Sequence, residues 1–134
     1  MTKFEEVKDG VIFPVGGPNP FGQYFIGQSY LNPLVVEQDI NVGVGNVTFE
    51  PRTRNNWHIH HSGYQILLAT GGEGWYQEEG KPAQTLKAGD VILTRDGVKH
   101  WHGAKKDSWF EHIAITAGQA EWLEPVTDEW YDAL

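Results

Sequence analysis

The segment Trp57-His58-Ile59-His60-His61 is the most informative stretch of this 134-residue chain. Side chains at positions i and i+2 of a β-strand point to the same face, so His58 and His60 share a face if the segment is extended. A second pair, His100 and His102, has the same one-residue spacing. Two such strands brought together inside a β-barrel would present their imidazole nitrogens to one divalent metal ion.

A metal site needs at least three converging donors. We predict that His58, His60 and His100 supply nitrogen atoms and that Gln65 adds a carbonyl oxygen. A lone histidine is more often a surface or hydrogen-bonded core residue, but two His-x-His strands in one short chain are hard to explain in that way. The expected cofactor is therefore one divalent transition metal per chain, and these donors do not distinguish manganese, iron, nickel and zinc.

Turn residues separate short apolar segments along the chain. It contains 16 glycines and 7 prolines, and the segments between them are rich in Val, Ile, Phe, Tyr and Trp. This pattern is typical of a single all-β domain. Short helices are predicted over 128–134, capped by Thr127, and around 119–123. Strands are predicted over 23–30, 42–50, 56–60, 64–70, 73–78, 83–86, 91–94, 99–102 and 110–116.

Composition excludes several classes of function. There are no cysteines, which rules out disulfides, thiolate ligands and cysteine nucleophiles. The formal net charge of -8 argues against a nucleic-acid partner. The sequence starts without an apolar signal-like run and has no stretch long enough to span a bilayer. We therefore expect a cytoplasmic protein whose partner is a small molecule, with no membrane and no nucleic acid involved.

The strand predicted over 42–50 bears on ligand binding. Gly45 and Val47 lie on one of its faces. Glycine facing a barrel interior would leave room for a ligand, whereas the opposite orientation would mark a close approach of two backbones. On the first alternative, Gly45 and Val47 contact the substrate. Asn56 shares the parity of His58 and is a further candidate for substrate contact.

His102 follows the predicted ligand His100 by two residues, so it faces the same cavity. It is a candidate general base because its ordinary pKa lies near neutral pH. Alternatively it is a fifth metal ligand, or only a hydrogen-bond partner. His112 shares a face of the last predicted strand with Thr116, and a histidine among apolar neighbours is more often structural.

The histidine strands resemble the two motifs of the cupin superfamily. In the first motif, a glycine is followed by His-x-His, a glutamate and a second glycine. Here His58 and His60 are followed at matching distances by Gln65, in place of the glutamate, and by Gly72. Arg52 stands where the first glycine is expected.

The second motif runs from Gly89 through Gly97 to His100, with Arg95 where the family usually has proline and Ala104 where it usually has asparagine. The resemblance implies a double-stranded β-helix, the jelly-roll barrel of the cupins. It also implies a metal bound by His58, His60, Gln65 and His100.

A narrower resemblance, over about residues 25–131, is to small bacterial cupins related to carboxymuconolactone decarboxylase. The segments 47–51, 71–75 and 100–104 carry it. This group includes manganese-dependent (R)-selective hydroxynitrile lyases, in which glutamine also replaces the usual glutamate ligand. Manganese is therefore the favoured metal.

The same resemblance implies roles for two further residues. His112 matches a histidine that lines the site of those lyases, which makes it a candidate catalytic residue beside His102. Thr116 stands where those lyases have glutamine, and it is a candidate substrate contact.

The resulting hypothesis is a metal-dependent lyase that acts on a small oxygen-bearing organic molecule by Lewis-acid and histidine general-base catalysis. Two alternatives stay open: a cupin that binds a small ligand without chemistry, and an Fe(II)-dependent dioxygenase. Oxygen uptake would distinguish the dioxygenase from the lyase.

The chain is expected to form one cupin domain, with an N-terminal extension over 1–33, the metal-binding barrel over 34–117 and a helical tail over 118–134. The aromatic segment 23–31 could add a strand to the sheet of a partner, and a homodimer would cover exposed sheet edges. A monomeric mass in solution would contradict this expectation.

Overall fold

The computed structural model describes residues 7–134 of the chain. A 3-10 turn occupies Gly22–Tyr24, and a short helix over Asp128–Asp132 follows the last strand. The strands of the described residues are β1 (Gly17–Pro18), β2 (Phe25–Ile26), β3 (Ser29–Val35), β4 (Gly43–Phe49), β5 (Arg54–Asn55), β6 (His58–Glu78), β7 (Gln84–Lys87), β8 (Val91–Thr94), β9 (His100–Ala104) and β10 (Phe110–Trp122).

These strands pair in the order β1-β3-β4-β10-β6-β9-β5-β2, with β7 and β8 also paired to β6, and the sheet curls into a half-barrel. The prediction of an all-β jelly-roll with a short C-terminal helix is confirmed. The strands predicted over 64–70 and 73–78 are parts of the continuous strand β6, which also carries His58 and His60.

The helix predicted around 119–123 is wrong, because β10 continues through this segment to Trp122. Gln119 lies opposite His61, and Trp122 lies opposite His58. The backbone of the segment is therefore engaged by the histidine strand, and this tertiary pairing overrides any local tendency to form a helical turn.

The tail expected over 118–134 is helical only over Asp128–Asp132, where the predicted cap is observed. Thr127 Oγ1 accepts a hydrogen bond of 3.1 Å from the Trp130 amide. None of the helices in the described part of the chain is long and apolar enough to cross a membrane.

The N-terminal extension expected over 1–33 contributes β1, β2 and most of β3 to the sheet. Residues 1–6 lie outside the described part. The aromatic segment 23–31 pairs within its own chain, since Phe25–Ile26 pairs with Arg54–Asn55 and β3 pairs with β4. The homodimer stays a prediction.

Two apolar clusters support the site. One lies inside the barrel and includes the buried side chains of Phe49, Leu67, Tyr76, Leu86 and Phe110. The other packs Trp57 and Trp101 against the C-terminal segment, through Val126 and Tyr131. Burial of this apolar surface is what stabilises the sheet independently of any ligand.

The C-terminal segment also anchors the short strand β5. The guanidinium of Arg54 is fully buried, donates to the Val126 carbonyl at 2.7 and 3.0 Å, and pairs with Asp128 at 2.7 Å. It lies 4.5 Å from the centre of the Tyr131 ring, over its face. Because β5 ends at Asn55, these contacts hold the start of the histidine strand in place.

At two positions of the first cupin motif, the backbone geometry favours or requires glycine. Arg52, which replaces the expected glycine, has a φ of 73°, in the region that favours glycine. Its guanidinium pairs with Asp132 at 2.7 Å. At Gly72 a Cβ would lie 1.7 Å from the Trp109 carbonyl oxygen, so only glycine fits.

Candidate metal centre

A β-bulge brings Gln65 onto the same face as the histidines. His60 and Gln65 are five residues apart, an odd spacing that would place them on opposite faces of a regular strand. Ser62 has a φ of 59°, and the register with β10 shifts just after Ala117. A Cβ on Gly63 would lie 2.1 Å from the Ala117 carbonyl oxygen, so glycine is required there. The extra residue restores the parity of the strand.

The four predicted ligands converge. The ring centroids of His58 and His100 are 4.1 Å apart, and that of His60 lies 5.1 Å from His58 and 5.2 Å from His100. Gln65 Oε1 lies 3.3 Å from His100 Nε2. All four side chains are buried.

Backbone carbonyls set the tautomers of two of these histidines. His58 Nδ1 lies 2.8 Å from the Asn56 carbonyl oxygen, and His100 Nδ1 lies 3.0 Å from that of Val98. Each Nδ1–H therefore donates to a carbonyl, which leaves Nε2 as a lone-pair acceptor, as is usual for metal-binding histidines. His100 Nε2 and Gln65 Oε1 are then two acceptors facing each other, an arrangement that a cation would stabilise.

Two cavity histidines have no hydrogen-bond partner within residues 7–134. Both ring nitrogens of His60 and both of His112 are buried without one. Buried polar atoms almost always have a partner, so each of these rings requires an explanation. A bound metal ion would give a ring nitrogen of His60 a partner. A ligand in the cavity would give a ring nitrogen of His112 a partner.

Burial keeps the histidines of the site neutral. Desolvation lowers the pKa of His58 and of His102 well below the ordinary value of 6.5, and it also lowers the pKa of His60. It lowers the pKa of His100 to about 4 and that of His112 to about 3. Neutral imidazole is the form that binds metal, so the residues present fit a divalent transition metal.

The metal-free protein is expected to lose stability as the pH falls below 6.5. The pKa of His100 is about 4 and that of His112 about 3 in the folded chain, against 6.5 as the ordinary value. The unfolded chain takes up protons first, so this contribution to stability is complete above pH 6.5 and is lost progressively down to about pH 3. Urea unfolding between pH 7 and pH 4 measures how much the free energy of unfolding falls. The fall should be smaller in His112→Leu because one titrating group is gone. An equal loss in the variant would contradict the assignment.

His102 adjoins both the predicted ligands and His112. One nitrogen from each of His58, His100 and His102 lies within 4.8 Å of the others, and the three-histidine group with this spacing in the described part of the chain contains His102 and not His60. The ring centroids of His102 and His112 are 4.9 Å apart. His102 is therefore placed for either of two predicted roles, general base or metal ligand.

Asn55, which no motif in the sequence marks, holds His102. Its Oδ1 accepts a hydrogen bond of 2.9 Å from the His102 amide, which directs Nδ2 toward the His102 ring, 3.2 Å from Nε2. Asn55 lines the cavity, whereas Asn56 donates its amide to the Leu123 carbonyl. Asn56 lies outside the strands, so the parity of His58 does not extend back to it. Its contact with substrate stays a prediction.

A cavity of about 420 Å³ opens beside the histidines. Gly45, Val47 and Thr116 line it, as do the two candidate catalytic histidines. The face of β4 that carries Gly45 and Val47 therefore points into the barrel, which is the first of the two alternatives for this strand. A Cβ on Gly45 would lie 2.9 Å from Leu31 Cδ1, so this glycine makes room for Leu31 in the wall.

Comparison with known proteins shows the family of the chain. Residues 45–116 match the family model described as a cupin domain. The chain is 42% identical over 113 residues to the (R)-mandelonitrile lyase of Granulicella tundricola, a match that covers 81% of this chain and 86% of the relative.

Solved structures agree with the fold. A cupin-like protein from Thermotoga maritima shares 43% identity with a TM-score of 0.85, over 91% of this chain and 95% of that chain. A second T. maritima protein, described as a predicted oxalate decarboxylase, shares the fold at 20% identity with a TM-score of 0.68, over 77% of this chain and 93% of that one. The chain belongs to the cupin superfamily, within its hydroxynitrile-lyase-like group.

Proposed function

We propose that this cupin is a metal-dependent lyase that cleaves and forms cyanohydrins. The observation that carries the proposal is the convergence of four neutral donor side chains, those of His58, His60, Gln65 and His100, beside a further histidine pair in one cavity. The 42% identity to a protein named (R)-mandelonitrile lyase supports this choice of reaction over others that cupins host.

The four donor side chains would hold one divalent ion, for which manganese is the favoured metal, with iron, nickel and zinc compatible with the same donors. When bound, the ion supplies Lewis acidity toward a substrate oxygen. Gln65 is neutral where a carboxylate would cancel part of the positive charge, so this donor set preserves that acidity. Its amide oxygen also binds less strongly than a carboxylate would.

His102 and His112 would move the proton. In cyanohydrin cleavage, the substrate hydroxyl gives its proton to a ring nitrogen of His102. The carbon–carbon bond to the nitrile then breaks, its electron pair leaves with cyanide, and the proton returns to cyanide to give an aldehyde and hydrogen cyanide. His112 lies against His102 on the cavity side, and Asn55 fixes the position of the His102 backbone.

The walls of the cavity indicate the class of substrate. Among the described residues that line it there is no lysine, arginine, aspartate or glutamate. Apolar side chains predominate, including those of Phe25, Leu31, Val47 and Trp122. A substrate with an uncharged apolar body and one polar head fits this wall, whereas sugar acids and phosphate esters would find no charge partner in it.

The test is turnover of an aromatic cyanohydrin by the purified, manganese-loaded protein, followed as the release of aldehyde and cyanide. We expect enantioselective cleavage that disappears after chelation and returns with added manganese. Absence of turnover across aromatic and aliphatic cyanohydrins would overturn the lyase proposal in favour of a ligand-binding cupin. Substrate-dependent oxygen uptake by the Fe(II)-loaded protein would favour the dioxygenase instead.

A further inference from the structure

The amide of Gln65 has a different partner at each end. Its Nε2 donates to Thr116 Oγ1 at 3.1 Å, and its Oε1 faces His100 Nε2 at 3.3 Å. Thr116 lies directly opposite Gln65 in the pairing of β10 with β6, so the backbone register brings these two side chains together.

The direction in which this amide points decides whether Gln65 can bind a cation. Only its oxygen has lone pairs for a metal, since the NH₂ group is purely a donor. If the amide turned by half a rotation, Nε2 would donate to the lone pair of His100 Nε2. That hydrogen bond would occupy two metal ligands at once. A carboxylate has two equivalent oxygens, so either can bind the metal. The need for one particular orientation therefore arises from having glutamine at this position.

We propose that Thr116 is a positioning residue that holds Gln65 with its oxygen toward the histidines. When Oε1 binds a cation, Nε2–H points away from the histidines, and Thr116 Oγ1 supplies its acceptor; without Thr116 this donor would lack a partner on a side chain that is only 7% exposed. A cation on the oxygen polarises the amide and strengthens the hydrogen bond at its other end, so the two interactions reinforce each other. This inference rests on the metal centre of the proposed function, but it assigns Thr116 to the amide of Gln65 and not to the substrate.

The test measures Mn²⁺ affinity without turnover, by titrating the metal-free protein and following free Mn²⁺ by electron paramagnetic resonance. Thr116→Val keeps the β-branched shape in the strand but removes the acceptor, and it should weaken Mn²⁺ binding by about tenfold. Thr116→Ser keeps the hydroxyl and should stay within about twofold of the wild type. Circular dichroism confirms that each variant is folded.

The matched background is Gln65→Ala, in which no amide remains to be held. There Thr116→Val should produce no further loss of affinity, so the effects of the two substitutions should not add. An equal loss in both backgrounds, or no loss in Thr116→Val when Gln65→Ala itself weakens binding, would overturn the positioning role and leave the metal centre standing. If the wild type bound no Mn²⁺, both the manganese centre and this role would be overturned.

Discussion

Replacing His100 with alanine is expected to abolish tight metal binding. His100 presents Nε2 to the other donors, and its orientation is set by the hydrogen bond from Nδ1 to the Val98 carbonyl. Loss of a direct ligand should cost more than the roughly 10- to 100-fold that loss of a supporting partner costs. His58→Ala and His60→Ala should behave in the same way, and metal analysis after purification and dialysis measures the effect.

The matched control is His61→Ala. His61 lies on the same strand but is exposed, and its Nε2 is 2.7 Å from a carboxylate oxygen of Glu121. This variant should retain its metal. All three ligand variants should still fold, because the barrel has its own apolar core. Full metal content in His58→Ala, His60→Ala and His100→Ala would place the site elsewhere.

His102→Ala is expected to lower cyanohydrin turnover by roughly a hundredfold or more while leaving the metal content nearly intact. The ring of His102 contacts both His112 and the amide of Asn55, at the boundary between the ligand cluster and the open cavity. As a general base it would remove the substrate proton without being needed to hold the ion. Steady-state turnover and metal content, measured on the same preparation, give the result.

Two outcomes would contradict this role for His102. Loss of metal in His102→Ala, with retention in His60→Ala, would show that the ligands are the overlapping group of His58, His100 and His102. Unchanged turnover with the metal bound would show that His102 only packs against its neighbours. His61→Ala again reports whether removing any histidine from this chain has a general effect.

Several features of the fold could be predicted from the sequence because they depend on local periodicity. The alternation around His58 and His60 predicts a strand, and the same spacing at His100 and His102 predicts a second one. Both are observed in β6 and β9. The cap at Thr127 is also local, since it requires only the amide of Trp130.

Other features depend on residues that are distant in sequence. The segment 119–123 has no local signal for a strand, and it becomes one because the histidine strand offers it backbone partners. The extra residue at Ser62 and Gly63 decides that Gln65 faces the cavity, and spacing alone would place it on the opposite face. The resemblance to cupins supports Gln65 as a ligand, because Gln65 stands where the family motif has glutamate.

Residue spacing is therefore enough to predict an all-β chain with two histidine pairs, each on one face of its strand, because side-chain direction alternates along a strand. The folded chain was needed to show which lone pairs of these histidines are free, that Asn55 and not Asn56 lines the cavity, and that Thr116 contacts Gln65. Tautomers and amide directions are set by individual hydrogen bonds, and the partners in those bonds are known only once the strands are in register.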